Sequence, residues 1–141
     1  MTPTGPVRHL VLDTEAASAL LSSTQVNPKR AAVITAVAAA NGERVVPTAV
    51  RGEARSDRTD PGAANANRLI TADDVLDRPG ANRVAQLRRT EAAASVVDAA
   101  VALAAARDGR GGGVVEVLTS DIADLQNLSG HTGGRVDVVR L

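Results

Sequence analysis

The chain contains no cysteine, phenylalanine, tyrosine or tryptophan, and Lys29 is its single lysine. Without thiols there is no disulfide and no thiolate metal site, a composition that suits a reducing cytoplasm. Without aromatic rings the core must be built from alanine, valine, leucine and isoleucine. A nucleic acid partner cannot be held by base stacking on aromatic side chains. Charge of one sign is also lacking: 16 basic residues balance 16 acidic ones, so no global field gathers phosphates. Arginine supplies nearly all of the basic side. That suits two-pronged phosphate contact, but genomic base composition, which also gives high arginine and alanine, is the better explanation. The apolar runs are short and interrupted, which predicts no membrane span, and the N-terminus has no signal-peptide pattern. At 141 residues and 44% hydrophobic content, one domain over 1–141 is expected, with a core from about residue 7 and a loose lead-in over 1–6.

What is present is organised around residues 92–106, AAASVVDAAVALAAA, apolar except at Ser95 and Asp98. A helix apolar nearly all round is a buried helix. Asp98 is then a carboxylate on an interior element, with no cation within a turn or two of it. Burying a charge alone costs several kcal/mol or more, on the order of its lost hydration, so Asp98 is expected to face a polar cleft.

The rest of the chain alternates strands and helices. An apolar strand is predicted over 9–12 and a helix over 14–21. A second helix follows Asn27-Pro28 and runs over 30–40 to Asn41-Gly42. A strand spans 44–47, and Thr48 is placed to cap the next helix, which carries Glu53. The polar stretch 55–67 with Pro61-Gly62 reads as a loop and 68–71 as a third strand. Residues 72–89 read as one or two helices broken at Pro79-Gly80. A glycine loop over 108–113, a strand over 114–118, a helix from 119–121 through Leu128, a turn over 129–134 and a strand over 136–139 complete the chain. This is an α/β pattern with a mainly parallel sheet.

Asp13 and Asp121 both stand where an apolar strand passes into a helix. Ligands of open parallel sheets gather at the carboxyl ends of strands, so adjacent strands would bring the two together. Each alone is better explained as a helix N-cap; the company of Asp98, read as mid-helix, shifts that balance. Asp124 reads as completing a cap with Asp121. Glu53 alone reads as a solvated carboxylate, and Glu116 as facing water near the start of an edge strand. The glycine loop lacks the Gly-Lys-Ser/Thr of a phosphate loop, and His9 and His131 have no metal-ligand spacing. Covalent acyl chemistry has no cysteine and no suitably placed histidine.

The segments VLDTEAASALL, VVPTAVRGEA, SVVDAAVALAA and VLTSDIADLQNL, in this order over about 10–139, resemble the four signature blocks of the PIN domain, and most closely those of VapC-type toxin ribonucleases. The resemblance implies a three-layer sandwich with a mainly parallel sheet flanked by helices. It implies an acidic set of Asp13, Glu53, Asp98 and Asp121, with Asp13, Asp98 and Asp121 holding Mg2+ or Mn2+. Thr14, Thr119, Ser120 and Asp124 stand in supporting positions. Arg51, Arg55 and Arg58 are candidates for RNA-phosphate contact, although each also reads as solvated surface. Like-charged carboxylates in one cleft repel, and a hard divalent cation relieves this while bridging to phosphate. The implied activity is cytoplasmic, metal-dependent endoribonuclease action, neutralised by a cognate antitoxin protein and carried out by a homodimer. The apolar faces of 16–21 and 31–40 suit such contacts, or simply the core. A PIN-like module that only binds is the alternative. A phosphoacceptor receiver domain also clusters aspartates but needs a lysine at a late strand end, whereas Lys29 lies early.

Overall fold

The computed structural model describes residues 7–21, 28–109, 114–132 and 136–140. Five strands form one all-parallel sheet: β1 (Arg8–Leu12), β2 (Arg44–Pro47), β3 (Ala72–Asp74), β4 (Val114–Thr119) and β5 (Val136–Arg140), in the order β3-β2-β1-β4-β5. Seven helices flank it: α1 (Thr14–Leu21), α2 (Pro28–Ala39), α3 (Thr48–Ala54), α4 (Ala64–Leu69), α5 (Arg78–Thr90), α6 (Val96–Gly109) and α7 (Ile122–Thr132). The right-handed crossover rule for parallel strands puts α1–α4 on one face, where α1 packs against α2, α3 and α4, with α3 also reaching α6. The return past β1 to β4 and β5 carries α5–α7 on the other face, where α6 packs against α5 and α7. The expected three-layer α/β sandwich is the observed architecture. The strand order 3-2-1-4-5 differs from the 2-1-3-4-5 of flavodoxin-like and receiver folds.

The core is wholly aliphatic. Leu10, Leu12, Leu20, Val46, Val101, Leu125 and Leu128 are shut off from solvent, and every residue from Ala99 to Ala106 of α6 is buried. Most of the apolar face of α1 (Ala16, Ala17, Ala19, Leu20) is spent inside the protein, whereas α2, among its described side chains, buries only Val33 and Val37 and leaves Ala31, Ala32, Ala38 and Ala39 outside.

Several boundaries differ from the sequence reading. The buried helix begins at Val96, because Ser95 caps it by accepting the Asp98 N–H at 3.0 Å. Asp98 therefore lies in a first turn, not in mid-helix. Thr48 does not cap α3: Pro47 precedes the helix and the Thr48 hydroxyl accepts the Leu76 N–H at 3.1 Å. Residues 55–67 are only partly loop. α3 ends at Arg55 in the left-handed region (φ 55°), and a short 3-10 turn at Pro61–Ala63 leads into α4. Since α4 continues to Leu69, the third strand falls at Ala72–Asp74 and not at 68–71. Pro79-Gly80 do not break a helix. They sit in the first turn of α5, where proline costs no hydrogen bond, and the Asp77 side chain accepts the Gly80 N–H at 2.8 Å. α7 runs to Thr132 through most of the expected turn. Glu116 is not on an edge: β4 lies between β1 and β5, and Glu116 is half-buried 3.6 Å from Arg8. The lead-in 1–6 and most of the glycine loop lie outside the described residues.

A polar tie holds 55–67 to the sheet. Arg51 donates from Nε to Asp73 at 2.6 Å and from Nη1 to Ser56 Oγ at 2.9 Å and Asn67 Oδ1 at 3.1 Å. Arg58 reaches the second oxygen of Asp73 at 2.8 Å. The Arg51 side chain is only 10% exposed, so it is neither solvated surface nor placed for phosphate. Both Arg51 and Arg58 serve as struts between α3, α4 and β3. Burial pushes the Asp73 carboxyl up, but the hydrogen bonds from Arg51 and Arg58 outweigh it and hold the carboxyl below its ordinary value.

Two expectations follow for stability. A carboxylate with a depressed native pKa adds stability that is full above its unfolded value, near 4, and is lost as pH falls through the native one. Asp73→Asn should cost about 2 kcal/mol in urea unfolding at neutral pH, and the difference from wild type should shrink below about pH 4. A Cβ at Gly42 would stand 2.7 Å from the Arg8 carbonyl oxygen and 2.6 Å from His9 Nδ1. Gly42→Ala should therefore destabilise by about 1–3 kcal/mol, read as an earlier urea midpoint with an unchanged slope.

Candidate metal centre

The strand order reverses direction between β1 and β4, which makes the gap between their carboxyl ends the switch point of the sheet, where ligands of open parallel sheets bind. The two strands pair in register through Leu12 and Leu118, and the Asp13 N–H reaches the Leu118 carbonyl at 3.4 Å. Asp13 and Thr119 thus leave the sheet at the same level, although more than a hundred residues separate them. α6 packs against β1 and β4 and brings its first turn, with Asp98, to the same place.

The carboxylates that gather most tightly are Asp98, Asp121 and Asp124, whose oxygens lie within 4.8 Å of one another. Asp13 adjoins them but is not in that closest set. Its Oδ1 accepts the Ala16 N–H at 2.8 Å, so it also caps α1. Asp124, read from the sequence as completing a cap, lies against the Asp121 carboxyl. The tightest grouping therefore has Asp124 where Asp13 was expected. Thr119 is fully buried between the two sides; its Oγ1 accepts the Asp121 N–H at 2.9 Å and its hydroxyl hydrogen-bonds Asp13.

The electrostatics oppose ionisation. Burial pushes the Asp13 carboxyl up, with Asp121 adding to the rise, and these outweigh the bonds from Thr119 and Ala16. Burial likewise raises Asp98 against the bond from Ser95, and the charges of Asp121, Asp124 and Asp13 raise it further. Asp124 is raised by its hydrogen bond to Asp121, then by the charge of Asp121, and also by that of Glu91. A capping carboxylate at a helix N-terminus is ordinarily stabilised in its charged form. Here the caps are present and the carboxyls are still raised, so capping is not the whole account of the cluster. The donor set is all oxygen, three carboxylates close enough to share one ion, with charge that a cation would offset. It fits a hard divalent ion such as Mg2+ or Mn2+ and does not suit a thiophilic one.

The remaining candidates divide. Glu53 is exposed near the end of α3 and is not among the carboxylates that act on Asp13, Asp98 or Asp124. Thr14, next to Asp13, holds a buried hydroxyl with no partner among the described residues. Ser120 is exposed and donates to Glu15. Arg55 is exposed at the end of α3. The sequence reading missed three residues beside the cluster. Glu15 receives both Ser120 and Lys29, and the Lys29 charge reaches Asp13 despite its early position. Glu91 faces Asp124 and pairs with His131 Nε2 at 3.1 Å. His9 Nδ1 accepts the Glu43 N–H at 2.9 Å, and neither histidine joins the carboxylate group.

Removing one charge should relieve repulsion in the metal-free protein. Asp124→Asn is expected to raise the melting temperature in a chelator. Mn2+ should raise the melting temperature of the wild type and do so less in the variant, by calorimetry.

No protein-family model matches the sequence, and no curated protein matches it.

Proposed function

We propose that this chain is a Mg2+- or Mn2+-dependent endoribonuclease of the PIN, VapC-toxin type. The observation that carries the reading is the meeting of Asp98, Asp121 and Asp124, with Asp13 beside them, at the switch point between β1 and β4. The order of the four sequence blocks supplies the reaction class.

On this reading Asp98, Asp121 and Asp124 hold the ion, and Asp13 borders it. A bound divalent ion supplies positive charge for a phosphodiester and a water of lowered pKa. The chain's own residues do the positioning. Thr119 fixes Asp13 relative to Asp121 through its two hydrogen bonds. Ser95 fixes the first turn of α6 and with it Asp98. Lys29, held by Glu15, sets a positive charge on the Asp13 side, which favours the ionised carboxylate there. The same reading takes the protein to be a cytoplasmic homodimer neutralised by a cognate antitoxin. Among the described residues no helix is long and apolar enough to cross a membrane.

Glu53 favours a second reading, since a PIN-like fold whose Glu53 stays apart from the cluster also suits a module that binds RNA without cutting it. Incubation of the purified chain with RNA separates the two. Cleavage that requires Mn2+ or Mg2+, and that falls by at least about a hundredfold in Asp98→Asn and Asp121→Asn while both variants stay folded, supports the nuclease. Metal binding by calorimetry without any cleavage supports the binding module.

A further inference from the structure

Of the three arginines that the sequence offers for phosphate, Arg51 and Arg58 are engaged by Asp73, and Arg55 is exposed at the end of α3. A cluster of carboxylates by itself repels a polyanion, so a nucleic acid needs cations elsewhere on its approach. α5 is where they stand. It carries Arg78, Arg83, Arg88 and Arg89 and no acidic residue from Arg78 to Thr90, in a chain whose total charge is zero. All four are exposed. Arg88 is tied by its Nε to the Ala94 carbonyl at 2.9 Å, which pins the end of α5 against the segment leading into α6. Among the described residues no carboxylate pairs with Arg78, Arg83 or Arg89; the ion pairs there belong to Arg8, Lys29, Arg51, Arg58 and His131.

The placement is directional. Gly80, Val84 and Leu87 turn one side of α5 inward. Arg78 and Arg89, about three turns and ~16 Å apart, share the opposite side. The helix ends at the acidic centre: Glu91 follows it directly, acts on Asp124, and lines with Asp124, Ala94 and Asn127 a shallow hollow. We propose that the solvent face of α5 is a docking surface for the phosphate backbone of single-stranded RNA, which it leads to the carboxylates. The inference rests on the nuclease reading for what happens to the strand, but not for whether the strand binds. With no aromatic ring in the chain, the contact is electrostatic and tolerant of base sequence.

The test is binding of a mixed-sequence single-stranded RNA to the full chain in a chelator, by fluorescence anisotropy over a range of NaCl concentrations. Replacing Arg78, Arg83 and Arg89 together by glutamine should weaken binding at least about tenfold and flatten the slope of log K against log salt by about two units, near 0.7 for each phosphate no longer neutralised. The corresponding triple lysine replacement should keep the wild-type slope, and Arg30→Gln on α2 should change neither quantity. The surface is overturned if the glutamine variant, folded by its melting curve, keeps wild-type affinity and slope, if the lysine variant loses as much as the glutamine one, or if the wild-type chain binds no RNA. A wild type that binds through α5 but cuts nothing with Mn2+ sinks the nuclease reading and leaves the docking surface standing.

Discussion

Like charges fixed in a partly dry place are the constraint on which the rest depends. Asp13, Asp98, Asp121 and Asp124 would separate in an unconstrained chain. The fold holds them together because each sits at or near the start of a helix, α1, α6 or α7, where free backbone N–H groups and the helix dipole favour a negative end. That help is about 0.3–1 kcal/mol per helix at exposed sites, less than burial and repulsion take away, since Asp13, Asp98 and Asp124 all remain raised. On the proposed reading a cation would offset the repulsion that these carboxylates retain. This asymmetry favours the metal reading over simple capping.

The site also has no local existence. Its parts come from the ends of β1 and β4 and the first turns of α6 and α7, and only the parallel pairing of Leu12 with Leu118 levels them. In chain order β2 and β3 on one side, and the crossing back past β1, lie between the two paired strands. The helix that crosses back, α6, is alanine on most of its buried surface, so it can lie close to the sheet and carry Asp98 into the gap. An aliphatic core without a single aromatic ring thus fixes the spacing of the polar groups. Displacements of about 1 Å in such constellations are costly to chemistry.

How much of this is legible in the sequence varies by residue. Asp13 and Asp121 are, because an apolar strand ending in aspartate marks the edge from which a parallel sheet presents its ligands. Asp98 is found by a premise that fails. The apolar tract 92–106 presents it as a mid-helix charge, whereas Ser95 starts the helix just before it; the tract does not reveal where its first hydrogen bond forms. Asp124 is easily undervalued, because an acid three residues after another at a helix start serves a cap and a charge pair equally well in sequence. The region 55–74 misleads because its polarity and Pro61-Gly62 speak for a loop, while the helix there is held from outside by Arg51, 16 residues from Asn67 and 22 from Asp73. The same long-range pairing makes Arg51 look like surface. Glu15, Lys29 and Glu91 carry no signal, since their importance is purely that of position.

The zero net charge is the most misleading number in the sequence. It argues against a protein that gathers nucleic acid through its overall field, and as a statement about the whole chain it is correct. Charge acts locally, however, with a screening length of about 8–10 Å at physiological salt. Along its own residues α5 carries only cationic charge, and the start of α7 with Asp98 carries only anionic charge. Opposite charges cancel over the whole chain but not at the surface, where on the proposed reading a strand of phosphates would meet the positive helix first and the carboxylates only at its end. On the proposed reading a polyanion would be drawn along the helix and opposed at the carboxylates until a divalent ion reversed the sign there. Metal and RNA occupancy would then be coupled, each lowering the electrostatic cost of the other.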